Sequence, residues 1–269
     1  MRTDRLLALL ACGVSLIAAD KPAALIEAAV PRTELKAQVA PGATLRFDFP
    51  ELTVDRKSAR AACHLKLPAN YDAAKSYPLV VWLGGGEGGN QPNGTFLPAG
   101  DFILVGLPYP KGANNPKQAN MVGDYGKVWA YHRFMLEEIA KVIPNLDRSR
   151  SIIAGFSNGA HAIDGMLRLS SKPRLTEYFG VFLFVDGGGT GYTSLGALPD
   201  LVGKFAYVCW GEKGTNKADT RYLPAALKAK GATVAGSEMA GVGHAFAETE
   251  KPKIAEWLEK VALAAPAKK

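Results

Sequence analysis

Residues 151–159 read Ser151-Ile152-Ile153-Ala154-Gly155-Phe156-Ser157-Asn158-Gly159, an apolar run that leads into a G-x-S-x-G motif. A segment with a helical pattern follows. In such a nucleophile elbow the chain turns sharply between strand and helix, and only small residues fit two positions either side of the serine. The turn also places the serine hydroxyl at a helix N-terminus, where backbone N–H groups favour a developing oxyanion. The motif therefore predicts that Ser157 is a nucleophile.

Strand-like and helix-like segments alternate on both sides of this motif. Continuously apolar runs are typical of parallel strands that are covered on both faces; they occupy residues 78–83, 102–105, 151–154, 181–185 and 205–210. Helical patterns occupy residues 125–142, 160–169, 220–230 and 252–264. This alternation predicts a parallel sheet with right-handed crossovers, in which chemistry gathers at the carboxyl ends of the strands.

Two earlier segments, 43–49 and 62–67, alternate apolar and polar residues, which is typical of antiparallel strands with one solvated face. The predicted fold class is therefore α/β, with a mostly parallel central sheet, antiparallel N-terminal strands and helices on both faces. The chain has 269 residues, of which 48% are hydrophobic, enough for one such domain. The connection between 181–185 and 205–210 is short, so we expect a site without a lid domain.

The N-terminus has the pattern of a secretory signal peptide. A charged start is followed by an apolar run from Leu6 to Ala19, which is too short for a membrane helix of roughly 20 apolar residues. The sequence thus predicts a signal peptide over 1–19 and a single domain over 20–269, exported to the periplasm or secreted. The residues before Cys12 resemble a lipobox, so a lipoprotein is the second interpretation.

Charge and cysteine content argue against several partners. The formal net charge is +7, but the basic residues are scattered, which favours a solvated surface over a nucleic-acid site. Cys63 and Cys209 lie in strand-like segments, where two buried free thiols are favoured over a disulfide. No histidine pair has the helical spacing of a zinc site, and no C-x-x-C motif occurs. We predict no metal, no cofactor and no stable membrane insertion.

A serine nucleophile needs a base, and the chain has four histidines. His64 lies in an early antiparallel strand, at the wrong end of the domain. His132 lies mid-helix among aromatic residues, where packing is the expected role. His161 is one helical turn beyond the serine and points down the helix. His244 lies in Gly241-Val242-Gly243-His244, a loop between the last strand and the last helix, which places it at the same edge as the serine. His244 is therefore the predicted base.

These features resemble the α/β-hydrolase superfamily, in particular lidless secreted esterases related to polyhydroxybutyrate depolymerases and feruloyl esterases. A glycine-rich loop at 84–89, the elbow and the Gly-His loop carry the resemblance, in that order along the chain. The glycine loop also matches G-x-G-x-x-G, but no helix or suitably placed acidic residue follows, so dinucleotide binding is not predicted. The resemblance implies acyl transfer, in which Ser157 attacks an ester carbonyl and His244 shuttles the proton.

The resemblance also implies an oxyanion hole, formed by the backbone N–H of Asn158 and by a second N–H at Gly84 or Gly85. Loss of one such donor typically lowers the rate by about 10²–10³. The side chain of Asn158 is not required for this role.

The acid of the triad is where the sequence departs from the family. This residue usually follows the strand at 205–210 in a G-x-x-D arrangement, but here Gly214 stands at the expected place. Asp186, which ends the preceding strand, is the favoured alternative, a position that some α/β-hydrolases use. Asp219 and Glu212 lie in the loop after the next strand and remain open, as does the absence of any acid.

The resulting functional prediction is a serine carboxylic-ester hydrolase whose substrate is an ester, with a polymer-linked acyl or aryl ester as one option. Because the usual acid is missing, a catalytically degenerate protein that binds carbohydrate or polymer is the main alternative. A serine peptidase is the third interpretation. Tyr109, Tyr192 and Trp210 are expected near the rim of the site, where they would suit stacking with aryl groups or sugars.

Overall fold

The computed structural model describes residues 32–52, 61–110, 124–189 and 196–264. Within these ranges an eight-stranded sheet has the order β1-β2-β4-β3-β5-β6-β7-β8. The strands are β1 (Thr44–Phe49), β2 (Ala61–Lys66), β3 (Leu79–Leu83), β4 (Ile103–Gly106), β5 (Ile152–Phe156), β6 (Val181–Val185), β7 (Phe205–Gly211) and β8 (Thr233–Met239). The predicted signal peptide at 1–19 and Cys12 lie outside the described residues.

The pairing of the strands confirms the predicted fold class. β1 pairs antiparallel with β2, and β2 pairs antiparallel with β4, whereas the strands from β4 through β8 pair in parallel. The α-helices are α1 (Arg32–Leu35), α2 (Tyr125–Val142), α3 (Asn158–Leu167), α4 (Lys217–Thr220), α5 (Leu223–Ala229) and α6 (Lys251–Trp257), and α6 continues into a π-helical turn at Leu258–Ala262. In the described part of the chain, no helix is both long and apolar enough to cross a membrane.

The continuously apolar strands are covered on both faces, as their composition predicts. In β6, Phe182 and Phe184 pack into the core cluster that includes residues of α2, α3 and α5. Val181 and Leu183 point to the other face and pack with residues of α6 and the turn that follows it. Since side chains alternate along a strand, a run without polar residues fits only a strand with helices on both sides.

The sequence pattern and the structure differ in three places. β2 is buried along most of its length rather than solvated on one face, because the Asn90-Gln91 segment packs against His64. The helical pattern at 220–230 is divided between α4 and α5. β8 has no strand signal in the sequence because it is an edge strand whose residues are exposed or half-buried up to the buried Met239, with Gly236 at its centre.

The two described cysteines are buried free thiols. Cys63 in β2 and Cys209 in β7 are both fully excluded from solvent. Burial raises the pKa of each thiol, since the thiolate would lose its hydration. Both residues therefore act as small apolar side chains of the core.

Candidate active site

The elbow turns at a single residue. β5 ends at Phe156 and α3 begins at Asn158, so Ser157 alone makes the turn, with φ 54° and ψ −116°. A non-glycine residue rarely adopts positive φ, and such strain persists only where the surroundings enforce it. Here the Ser157 N–H donates to the Val185 carbonyl at 2.9 Å, and the Ser157 carbonyl accepts from the His161 N–H at 3.0 Å.

The two motif glycines are required by close backbone contacts. A Cβ atom on Gly155 would lie 2.3 Å from the carbonyl carbon of Gly159. A Cβ atom on Gly159 would lie 2.1 Å from the carbonyl oxygen of Leu83, at the end of β3. Both distances are far below van der Waals contact, so the strand and the helix can meet at this angle only with glycine at both positions.

Ser157, His244 and Asp186 form a continuous series of hydrogen bonds. The Nε2 atom of His244 lies 2.9 Å from the Ser157 Oγ, and its Nδ1 atom lies 2.5 Å from the Asp186 Oδ2. A carboxylate there requires Nδ1 to carry a proton and donate it, which leaves the Nε2 lone pair to accept from the serine hydroxyl. The ring of Phe156 stacks on the imidazole with the ring centroids 5.0 Å apart.

Asp186 lies directly after β6 and is buried, whereas the side chain of His244 is 41% exposed. The second carboxylate oxygen, Oδ1, accepts from the Gly211 N–H at 3.1 Å. The backbone of Asp186 has a φ of 46° and is held by the Cys209 carbonyl and by the Asn216 side chain, both at 2.7 Å. The carboxylate is therefore fixed on both oxygens and through its own backbone.

The other candidate acids have different partners. Glu212 Oε2 accepts from the Gly241 N–H at 2.6 Å, at the start of the loop that carries His244. Asp219 lies in α4, where its backbone packs against Gly189. A Cβ atom on Gly214, the place of the usual acid, would lie 2.9 Å from the Asp186 Oδ1, so the Asp186 carboxylate occupies the adjoining space.

The glycine loop lies beside the serine and is held by two side chains. The position of a Cβ atom on Gly85 is 3.2 Å from the Cβ of Ser157. The Gly84 carbonyl accepts from the Tyr109 hydroxyl at 3.0 Å, and the Gly86 carbonyl accepts from the Asn158 side-chain amide at 2.9 Å. The Asn158 side chain thus connects the elbow to the glycine loop, a link that the sequence reasoning missed.

The remaining histidines lie away from the serine hydroxyl. His132 is buried in α2 and donates from Nε2 to the Pro108 carbonyl at 2.9 Å, and burial lowers its pKa to about 4. His64 lies on β2, with its Nδ1 3.3 Å from the Asn90 carbonyl. His161 is buried in α3, and burial lowers its pKa.

A polar stripe on α3 supports the loop after β6. The His161 Nδ1 accepts from the Gly188 N–H, and the Asp164 Oδ2 accepts from the Gly189 N–H, both at 3.0 Å. Asp164 also pairs with Arg168 at 2.9 Å, and burial raises the pKa of its carboxyl to about 6. The helical spacing of His161 and Asp164 in α3, continued by Arg168 just after it, is a signal in the sequence that could have indicated this role.

Two of the three predicted rim aromatics are in the described residues, and neither is a free stacking surface. Tyr109 is only 5% exposed, so the prediction that it lines the rim is wrong. Trp210 is half-buried, and its indole N–H donates to Glu238 at 2.9 Å. Tyr192 lies outside the described residues.

Across the four described ranges, no three His, Cys, Asp or Glu residues are grouped so as to hold a metal ion.

The comparisons with known proteins show the fold. No protein-family model and no curated protein sequence matches the chain. A carboxylesterase from Bacillus cereus is 19% identical with a TM-score of 0.52, over 70% of this chain and 90% of that one. An esterase from the hyperthermophilic archaeon Pyrobaculum calidifontis is 15% identical with a TM-score of 0.53, over 86% and 89%.

The acylaminoacyl peptidase of Pyrococcus horikoshii is 11% identical with a TM-score of 0.55, over 88% of this chain but only 44% of the peptidase. This chain therefore spans less than half the length of that enzyme. Together with the strand order, these likenesses show that the chain has the α/β-hydrolase fold.

Proposed function

We propose that this protein is a serine hydrolase that cleaves a carboxylic ester through an acyl-enzyme intermediate. The observation that carries the proposal is the hydrogen-bonded series from the Ser157 Oγ through His244 to the buried Asp186. Nucleophile, base and orienting carboxylate stand in the order and at the distances that serine hydrolysis needs. A protein that only bound its ligand would not need a strained serine beside a correctly oriented imidazole.

In the proposed reaction the Ser157 Oγ attacks the ester carbonyl carbon while its proton passes to the Nε2 of His244. His244 then returns that proton to the leaving alcohol as the carbon–oxygen bond breaks, and the acyl group remains on the serine. Water, deprotonated by the same imidazole, then attacks the acyl carbon; the bond to the Ser157 Oγ breaks, the imidazolium returns the proton to that oxygen, and the carboxylic acid is released. Asp186 accepts the Nδ1–H throughout, which keeps the ring in the tautomer that can accept the serine proton.

Asp186 is the proposed acid in preference to Asp219 and Glu212. It accepts the hydrogen bond from His244 directly, at 2.5 Å, and it is buried, so water does not compete for that bond. Glu212 bonds the backbone at Gly241 and so holds the loop that carries His244 rather than the imidazole.

The proposed oxyanion hole consists of the backbone N–H groups of Asn158 and Gly85. Asn158 is the first residue of α3, where N–H groups lack intrahelical partners. Of the two glycines considered, Gly85 approaches the serine, whereas a Cβ atom on Gly84 would face Gly88 and Gly89 instead. These N–H groups would stabilise the negative oxygen that forms when the serine attacks.

The proposed substrates are bulky or polymer-linked acyl and aryl esters, of the kind implied by the resemblance to polyhydroxybutyrate depolymerases and feruloyl esterases. The connection between β6 and β7 is too short for an inserted lid domain, which supports an open site. A signal peptide at 1–19 would deliver the enzyme to the periplasm or outside the cell, where polymeric esters occur. The substrate class rests on likeness of fold and pattern.

Amide cleavage is the second candidate activity. The same three residues can attack an amide carbonyl, and the acylaminoacyl peptidase of Pyrococcus horikoshii shares the fold. A panel of p-nitrophenyl esters and aminoacyl p-nitroanilides separates the two activities: faster turnover of the esters supports the proposal, and faster turnover of the anilides supports the peptidase.

The test of the mechanism is labelling with a fluorophosphonate, which reacts with activated serines without knowledge of the substrate. We expect one adduct per molecule, mapped to Ser157, in the wild type and in Ser149→Ala, a control in which an exposed serine is lost. Labelling should vanish in Ser157→Ala and in His244→Ala while the thermal midpoint stays within a few degrees. A folded wild type that takes no label would overturn the proposal and favour the non-catalytic polymer-binding protein.

A further inference from the structure

We propose that Tyr109 is a positioning residue that orients the Gly84–Gly85 peptide, so that the Gly85 N–H faces the oxyanion of the reaction. This inference rests on the proposed function. Tyr109 follows β4, and its side chain is buried beneath the glycine loop rather than placed at the rim. Its hydroxyl donates to the Gly84 carbonyl at 3.0 Å.

The planarity of the peptide bond transmits this contact to the neighbouring N–H. In a trans peptide the carbonyl and the following N–H point in opposite directions. The cis bond found in the described residues is elsewhere, at Lys172-Pro173. When the Gly84 carbonyl points toward Tyr109, the Gly85 N–H therefore points away from it.

The Gly85 N–H is available to a ligand. Gly85 lies against the elbow, with its Cβ position 3.2 Å from the Cβ of Ser157. Within the described ranges this N–H donates to no protein acceptor. A buried or half-buried N–H group without a partner is uncommon, and in this place it would be satisfied by the negative oxygen of a tetrahedral intermediate.

The glycine loop needs such a constraint because glycine peptides rotate easily. Glycine populates positive and negative φ almost equally, so the Gly84–Gly85 peptide has little intrinsic preference for one orientation. A rotated peptide would present its carbonyl oxygen, rather than its N–H, to the developing negative charge. The hydrogen bond from Tyr109 selects the productive orientation before the substrate arrives.

Tyr109 is itself held in place on several sides. A Cβ atom on Gly88 would lie 2.5 Å from the tyrosine ring, so glycine at that position allows the ring to pack under the loop. The Gly88 N–H donates to the Gly85 carbonyl at 2.9 Å and closes the turn. His132 lies 5.9 Å from the ring and fixes the preceding backbone through its bond to Pro108. Burial raises the pKa of the Tyr109 hydroxyl, which therefore keeps its proton and remains a donor.

The test is Tyr109→Phe, which keeps the ring and removes the hydroxyl. We expect kcat for a p-nitrophenyl ester to fall about tenfold or more, up to the 10²–10³ that complete loss of an oxyanion donor costs. KM should stay within about twofold, because the bond acts on the transition state rather than on the bound ester. The affinity for an arylboronic acid, which forms a negative tetrahedral adduct with the serine, should fall by the same factor as kcat.

Tyr71→Phe is the matched control, since Tyr71 is also buried and its hydroxyl donates to Asn145 at 2.9 Å, away from the elbow. This variant should show the wild-type kcat and boronate affinity. The proposal is overturned if Tyr109→Phe keeps kcat within about twofold, or if Tyr71→Phe loses as much. A rise in KM equal to the loss in kcat/KM would likewise overturn it, because it would indicate a role in substrate binding.

A second variant covers the case in which Tyr109→Phe does not fold. Gly88→Ala keeps the hydroxyl but must separate the ring from the loop, because its Cβ atom would lie 2.5 Å from the ring and its φ is 77°. It should therefore produce the same loss of kcat and boronate affinity with little change in KM. Wild-type labelling at Ser157 separates the two proposals. If the wild type takes no label, the hydrolase proposal fails and this one fails with it; if the wild type is labelled and Tyr109→Phe is unaffected, only the positioning role fails.

Discussion

Asp186→Asn tests the proposed triad because the structure determines which way the new amide must point. In one orientation its oxygen faces His244 and its NH₂ group faces the Gly211 N–H, which puts two donors against each other in a buried place. An unsatisfied buried donor of this kind costs about 1–3 kcal/mol. In the other orientation the oxygen accepts from Gly211, as the Asp186 Oδ1 does now at 3.1 Å, and the NH₂ group donates to His244.

The second orientation satisfies every hydrogen bond and should therefore prevail. It requires the Nδ1 of His244 to accept, which moves the ring proton to Nε2, the atom that lies 2.9 Å from the Ser157 Oγ. A protonated Nε2 cannot take the serine proton. Loss of the correct tautomer costs about 10⁴ in kcat in a serine triad, which is about 5.4 kcal/mol of transition-state stabilisation.

The assay is the steady-state rate with a p-nitrophenyl ester, together with thermal unfolding. We expect Asp186→Asn to lose about 10⁴ in kcat and to keep a cooperative transition near that of the wild type. The isosteric controls Asp219→Asn and Glu212→Gln should stay within about threefold of wild type, because neither carboxylate contacts the imidazole. More than about 1% activity in Asp186→Asn, or an equal loss in Asp219→Asn, would refute the reasoning.

Two further predictions concern stability. Gly155→Ala should lower the free energy of unfolding by about 3 kcal/mol or more, because its methyl group would lie 2.3 Å from the Gly159 carbonyl carbon; Gly126→Ala in α2, with 3.8 Å to its nearest neighbour, should be neutral or stabilising by up to about 1 kcal/mol. Equal urea midpoints for the two variants would contradict this. Burial lowers the pKa of His132 to about 4 in the folded protein. Between about pH 6.5 and 4 the unfolded chain therefore binds more protons at this residue than the folded protein does. The contribution of His132 to the free energy of unfolding should be complete above about pH 6.5 and should fall by about 3 kcal/mol as the pH drops to about 4. His132→Asn should flatten the pH dependence of urea unfolding. An unchanged pH dependence in this variant would count against a buried neutral imidazole.

The main sheet could be predicted because the composition of its strands reflects which of their faces are buried. In β6, each of the five residues is apolar and buried, so the strand could only lie between two layers of helices. The elbow could be predicted because its two glycines are forced by backbone contacts at Leu83 and Gly159. β8 lacked such a signal, since an edge strand with exposed residues and a central glycine resembles a loop.

The identity of the acid stayed open because it depends on a loop conformation that the sequence pattern does not encode. Asp186 contacts His244 from a backbone with positive φ, a conformation that aspartate tolerates better than most residues but does not require. The burial of Tyr109 was missed for a related reason. Beyond the end of a strand the alternation of side chains no longer applies, so the sequence did not indicate whether the ring faces solvent or the glycine loop.

The proposed position of the acid, after β6 rather than after β7, also changes which element supports the site. Ser157 and Asp186 both have positive φ, a conformation that costs about 1–3 kcal/mol per residue and persists only where the surroundings enforce it. α3 begins at the elbow, and through His161 and Asp164 it binds the N–H groups of Gly188 and Gly189, just after Asp186. One helix therefore stabilises both strained residues. An acid after β7 would lie outside these contacts, whereas the proposed nucleophile and carboxylate share the support of α3, to which β7 adds the Cys209 carbonyl and the Gly211 N–H at Asp186.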